Sequence, residues 1–305
     1  MECFLYIIYF KLYLPRHAMS YLEIPAYAKI NLSLDVTGKR EDGYHDIRTI
    51  MQTVSLHDTV CLETTAGKGI SLECGSRWVP ENENNTAWKA AKLMMDSFGI
   101  KKGLRIRIVK RIPVAAGLAG GSSDAAAVLK GMNQLFSLKL DVAGLQKLGR
   151  RIGADVPYCI EGGTRLAEGI GDILSPLPDF SGIDVVIIKP DMGVSTPWVY
   201  KNLVLSEITG NDRPDTERMI RSLAGRDVRG AAAGMKNVLE LVTLRRYPKV
   251  REAKDCMEKS GAAGSLMSGS GPSVFGLFCD SRSAQDAFDA LSARGDWQCH
   301  IAKTI

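Results

Sequence analysis

Metal ligands are scarce in this sequence. Its four histidines lie far apart, and its seven cysteines are scattered, odd in number and never paired as C-x-x-C. That pattern gives no support to a zinc site and argues against a disulfide framework; it fits a reducing cytoplasm. Charge of one sign is equally thin. A formal charge of +5, carried by dispersed lysines and arginines, leans toward anionic ligands but is too weak for a nucleic-acid surface. Low-complexity tracts and repeats of solenoid period are absent. Familiar nucleotide signatures are missing too. There is no G-x-x-x-x-G-K-[ST] anywhere, no G-x-G-x-x-G in the glycine-rich loop described below, and no protein-kinase motif set. Nothing implies a membrane or an obligate protein partner.

What is present suits two globular domains: 305 residues, 45% hydrophobic and 24% charged, with 30 glycines. Residues 1–18 stand apart. They are apolar and aromatic, yet Glu2 sits where a signal peptide is basic, and Lys11 cuts the apolar run short of a membrane span. The expectation is that they are an extension outside the native fold, with Met19 as the starting residue.

From Ile24 to Val36 apolar residues occupy every even position, the mark of a half-buried strand. Lys29 and Asn31, two apart, therefore project together from the face that the core does not use. Further strands are expected near 59–63, 69–73, 104–109, 184–189 and 273–278. Helices are expected from Thr86 to about Phe98, from Ser123 to about Phe136, and at 141–152, 215–224, 229–243, 248–260 and 283–294. Strands cluster before the first helices rather than alternating singly with them, so the class is α+β. Ser175-Pro176-Leu177-Pro178 is the best candidate for an interdomain connection.

The informative segment runs Pro113-Val114-Ala115-Ala116-Gly117-Leu118-Ala119-Gly120-Gly121-Ser122-Ser123-Asp124. A strand ends before it, glycines let the backbone fold closely around a ligand, and a helix begins at the serines. Free N–H groups and a helix dipole then converge on one point, which suits a polyphosphate. The hydroxyls of Ser122 and Ser123 can reach phosphate oxygens or Mg²⁺. A plain glycine-alanine turn packing a helix onto a sheet is the competing reading, and the Ser-Ser-Asp helix opening weighs against it.

This loop resembles the central motif of the GHMP kinase superfamily. Four other segments are similar to family motifs and follow in the same order: Ala26-Tyr27-Ala28-Lys29-Ile30-Asn31-Leu32, Arg40-Glu41-Asp42-Gly43-Tyr44-His45, Gly153-Ala154-Asp155-Val156-Pro157 and Met267-Ser268-Gly269-Ser270-Gly271-Pro272-Ser273. The longer loop, with Gly120-Gly121 inserted, resembles the branch acting on a methylerythritol that carries a cytidine diphosphate group. Ala119 stands where the family often has glycine, a change expected to need only an ordinary backbone conformation.

The resemblance implies a two-domain fold, with an ATP-binding domain at 19–170, a ferredoxin-like substrate domain at 171–305, and the site in the cleft between them. It implies an ATP-dependent kinase of the non-mevalonate isoprenoid precursor pathway, with Mg²⁺ accompanying ATP. By the same resemblance Asp155 is the base for the attacking hydroxyl and Lys29 its partner. Residues Gly117 to Asp124 hold the ATP phosphates. Cytosine stacks between Tyr44 and Tyr200 of the segment Thr196-Pro197-Trp198-Val199-Tyr200, and His45 bonds its polar edge. Asn31 orients the acceptor, and Ser268, Gly269, Ser270 and Gly271 form a second backbone clamp. Three other readings stay open: a superfamily kinase for homoserine or mevalonate, a related decarboxylase, and a non-catalytic nucleotide sensor.

Overall fold

The computed structural model describes residues 21–305, so the expected extension at 1–18 lies outside the described residues. Two long strands begin the described residues, β1 (Tyr21–Lys39) and β2 (His45–Thr65), antiparallel along most of their length. The other edge of β2 is shared. Its far half pairs with β4 (Gly103–Val109), itself parallel to β3 (Ile70–Glu73). Its near half pairs with β5 (Thr164–Glu168), which continues to β6 (Ile173–Pro176). Ser175 and Pro176, expected in a connection, are thus the end of a paired strand.

Helices α1 (Thr86–Phe98) and α2 (Gly120–Leu135) cover this sheet, with α3 (Val142–Arg150) and α4 (Val156–Glu161) beside them. Asn85 caps α1 by accepting from Ala87 N–H, and Gly99 ends it in the left-handed region. Helix α2 opens at Gly120, three residues before the sequence pattern suggests. Its alanines, Ala125, Ala126 and Ala127, are fully buried, so the small side chains let the helix lie close on the strands.

The second sheet has the order β10-β7-β9-β8, antiparallel throughout, from β7 (Asp184–Pro190), β8 (Gly264–Met267), β9 (Val274–Phe278) and β10 (Trp297–Lys303). Chain order 4-1-3-2 with helices between the strands is the ferredoxin-like arrangement. The helices are α5 (Thr196–Lys201), α6 (Thr216–Ala224), α7 (Val228–Gly234), α8 (Glu240–Arg246), α9 (Pro248–Lys259) and α10 (Ser281–Ser292). The single helix expected at 229–243 is broken in two because residues 236–238 leave the helix to bond with β1. Leu34 N–H donates to Lys236 C=O at 2.9 Å, and Val238 N–H to Leu34 C=O at 3.0 Å.

The two sheets share a core. Ala28, Ile30 and Leu32 of β1 pack in one buried cluster with Val185, Ile187, Phe275 and Leu277. Register shifts at Tyr27/Lys29 and Asn31/Ser33 bend β1 across the junction. The opposite face of β1 there, with Lys29 and Asn31, is buried as well rather than solvated.

Candidate active site

The glycine-rich loop has an unusual backbone. Ala115, Gly117 and Ala119, alternate residues, all have positive φ, at 51°, 75° and 58°. Alternation of handedness turns successive N–H groups toward one concave side, a nest for an anion. The expectation for Ala119 is therefore corrected: its methyl sits on a left-handed residue, at the N-cap of α2 with no side-chain cap. At Gly117 a side chain is excluded altogether, since a Cβ would lie 2.1 Å from Ser268 O. The N–H groups of Gly120, Gly121 and Ser122 open α2. Thr86, the first residue of α1, donates its hydroxyl to Gly121 C=O at 2.7 Å, so two helix N-termini meet at the loop.

Beneath the loop lies a buried charge cluster that the sequence reading missed. Lys110 ion-pairs with Asp58 and, at 2.9 Å, with Asp124 Oδ2. Asp58 Oδ1 accepts from the N–H groups of Arg111, at 2.6 Å, and Ile112, at 2.8 Å. Asp58 thus holds the strand entering the loop, and Lys110 ties it to the helix leaving it. Burial drives Asp124 up, to about 7, with Asp58 adding to the rise and Lys110 opposing it. Burial pulls Lys110 down, but Asp124 and Asp58 more than offset this and hold it raised.

Across the mouth of the loop, Lys29 Nζ donates to Asn31 Oδ1 at 2.7 Å and lies 3.8 Å from Asp155 Oδ2. Asn31 is oriented in turn, donating to Thr49 Oγ1 at 2.8 Å. Asp155 precedes α4 but makes no capping hydrogen bond, which leaves its carboxylate to face Lys29. Lys29 N–H bonds Leu118 C=O at 3.1 Å, fixing the strand to the loop.

Beyond this cluster, the rings of His45 and Tyr200 pack at 5.2 Å. Burial, then the charge of Lys39, keeps His45 below its ordinary value, so the ring is neutral near neutral pH. Burial and the nearby Asp155 carboxylate raise Tyr200. Thr196 Oγ1 lies 2.6 Å from Ser270 Oγ, and Pro197 starts α5 from an exposed position. Tyr44, next to His45 in the sequence, is exposed.

Comparison with known proteins gives this constellation a family. Residues 85–163 match the family described as GHMP kinases N terminal domain, and residues 219–296 match GHMP kinases C terminal. A 4-diphosphocytidyl-2-C-methyl-D-erythritol kinase of Acetivibrio thermocellus is 52% identical over 287 residues, 94% of this chain and 100% of the relative. The chain belongs to the GHMP kinases. One such kinase of Clostridium perfringens is 48% identical over 285 residues, 93% of this chain and 98% of its own length. A crystal structure of a 4-(cytidine 5'-diphospho)-2C-methyl-D-erythritol kinase superposes with a TM-score of 0.80 at 35% identity. It covers 93% of this chain and 99% of that one. Homoserine kinase from Cytophaga hutchinsonii shares the fold, with a TM-score of 0.75 at 21% identity over 96% and 97% of the two chains.

In this GHMP kinase several expected contacts take a different form. Ser123 does not face the loop: its hydroxyl donates to Tyr27 C=O at 2.6 Å, and its N–H to Ala119 C=O. The buried Asp124 carboxylate pairs with Lys110 and so anchors the loop. Ser268 and Ser270 are buried, and Ser268 Oγ donates to Gly117 C=O at 2.9 Å. The segment 268–271 therefore buckles the two domains together. Asn237, missed by sequence reading, holds it by donating to Met267 C=O at 2.8 Å and Gly269 C=O at 2.7 Å. A signal for Lys110 and Asp58 did exist, since each is a charge inside a run patterned for burial.

Proposed function

We propose that this small-molecule kinase transfers the γ-phosphoryl group of ATP to the 2-hydroxyl of 4-diphosphocytidyl-2-C-methyl-D-erythritol, a step toward isoprenoid precursors. The observation that carries the reading is the Lys29–Asn31–Asp155 cluster, set between a phosphate nest and the His45–Tyr200 pair. Phosphoryl transfer asks a protein chiefly for positioning and charge stabilisation. The acceptor hydroxyl gives its proton to Asp155 as its oxygen forms a bond to the γ-phosphorus. The bond from that phosphorus to the bridging oxygen breaks, and ADP leaves. Lys29, charged and held by Asn31, draws negative charge off the transferred group. The loop N–H groups of Gly120, Gly121 and Ser122 hold the remaining phosphates.

Among the described residues no cluster of three or more His, Cys, Asp or Glu could hold a metal ion. Mg²⁺ accompanying the nucleotide would be held chiefly by phosphate oxygens and water, and Ser122, half-buried at the opening of α2, carries the hydroxyl that could join them. When bound, Mg²⁺ neutralises charge on the β- and γ-phosphates. On the acceptor side, Tyr44 and Tyr200 offer faces for the cytosine, and neutral His45 offers one donor and one acceptor to its polar edge. Among the described residues no helix is long and apolar enough to cross a membrane, and the six described cysteines are free.

The test is phosphoryl transfer by the purified chain with ATP and Mg²⁺, comparing the cytidyl substrate with methylerythritol phosphate. Turnover that requires the cytidyl group is the expected result. Equal turnover of both, or release of CO₂ from a diphosphomevalonate, would overturn the reading.

A further inference from the structure

Helix α5 has a second face. At about 100° per residue, Trp198 and Asn202 point away from Thr196 and Tyr200. Thr196 and Tyr200 meet Ser270 and His45, whereas Trp198 packs edge-on against Tyr247, ring centroids 5.9 Å apart. Behind that second face lies a cavity of about 280 Å³, close to the lower end of small-molecule sites. Its apolar wall comes from Trp198, Leu203, Leu241 and Val242, and its exposed rim carries Arg245 and Arg246 together with the Glu207 carboxylate. Arg245 is partly neutralised by Glu207 at 3.3 Å. Arg246 lies over the Tyr247 ring, 5.5 Å from its centroid, and makes no ion pair among the described residues.

An open cavity with a partly apolar wall and an exposed, unpaired cation on its rim selects a particular chemistry. We propose that this cavity binds a small amphipathic anion, an apolar body bearing a phosphate or carboxylate, and that its occupancy favours acceptor binding. The body fills the space between α5 and α8, and the headgroup pairs with Arg246. The coupling follows from geometry. The cavity exists with α5 placed so that Tyr200 meets His45 and Thr196 meets Ser270, so a ligand of the cavity selects that placement. A six-residue helix has little stability of its own and depends on what packs against it. By reciprocity the acceptor tightens the cavity ligand by the same factor. The binding claim stands by itself, while the coupling rests on the acceptor site described above.

Octyl phosphate is the probe, with octanol and inorganic phosphate as controls, and the emission of Trp198 is the signal. Expected is a saturable emission change below micellar concentrations that disappears in Trp198→Phe. Octyl phosphate should bind roughly tenfold tighter than octanol, and Arg246→Gln should remove that advantage. Val204→Phe, which adds bulk at the cavity's rim, should weaken binding in a folded protein. With the probe bound, the KM for the cytidyl substrate should fall roughly fivefold, with kcat and the KM for ATP unchanged. Absence of saturation, equal affinity for octanol, or undiminished binding in Arg246→Gln each overturns the site. Saturable binding with an unchanged acceptor KM overturns the coupling alone. Failure of the cytidyl substrate to react at all leaves the fluorescence test intact and counts against the proposed function instead.

Discussion

The phosphate side and the acceptor side of the cleft are built in opposite ways. The phosphate nest is one continuous segment, and its two stems are riveted by the buried Asp58–Lys110–Asp124 cluster. The acceptor side draws on separate segments: β1, the start of β2, the turn before α4, α5 and the 268–271 loop. β1 and β2 are paired as a ladder, whereas α5 meets the other segments through contacts such as Thr196–Ser270 and His45–Tyr200. One side is thus set by a single segment, and the other depends on how several segments meet. In the proposed mechanism the chemistry sits between them, on Lys29 and Asp155.

The largest effect should come from the residue between the two sides. Asp155→Asn is expected to lower kcat by about 10²–10³, with ATP affinity nearly intact, measured by steady-state and binding assays. Parallel losses in kcat and ATP affinity would place Asp155 on the phosphate side instead. Next comes the rivet. Lys110→Met leaves two carboxylates buried without their cation, and should cost about 3–5 kcal/mol in denaturant unfolding while raising the KM for ATP more than that for the acceptor. An acceptor KM raised equally would erase the contrast between the sides.

Tyr44→Ala should raise the acceptor KM alone by roughly fivefold to a hundredfold, the span of one base–aromatic stack at about 1–3 kcal/mol. An unchanged acceptor KM removes Tyr44 from the site. His45 predicts a pH profile. Because burial lowers its pKa, the neutral form persists as pH falls through about 6.5, and the acceptor KM should stay flat there and rise only at lower pH. A rise centred on the ordinary histidine value would show His45 to be solvated. The smallest effect is at Ala119. Glycine suits φ of 58° without strain, so Ala119→Gly should change stability by no more than about 1 kcal/mol, seen as a small shift in Tm.

Much of the site was legible because its residues are read in short local patterns. The alternation of β1 put Lys29 and Asn31 on one face, though without revealing its burial, and the glycine-rich loop marked where the backbone turns left-handed before α2. Other parts were hidden for physical reasons. Helix α5 and strand β8 are short, and a short run carries no periodicity that separates helix from strand. The break at 236–238 was invisible because pairing with β1, some 200 residues away, overrides local helix preference.

By itself the sequence determined the α+β class and the glycine-rich pattern of the loop, since these follow from residue type and spacing along one segment. Lys29 and Asp155 were singled out only by resemblance, and their roles belong to the proposed function. Only the tertiary structure decided what each polar group does inside that frame. Ser123 and Asp124 lie in the motif, yet Tyr27 and Lys110 claim them; Ser268 joins two domains; and Lys110, outside every motif, anchors the loop. A buried polar group takes whatever partner the fold brings within hydrogen-bond distance, because leaving it unpaired costs more than any local preference supplies.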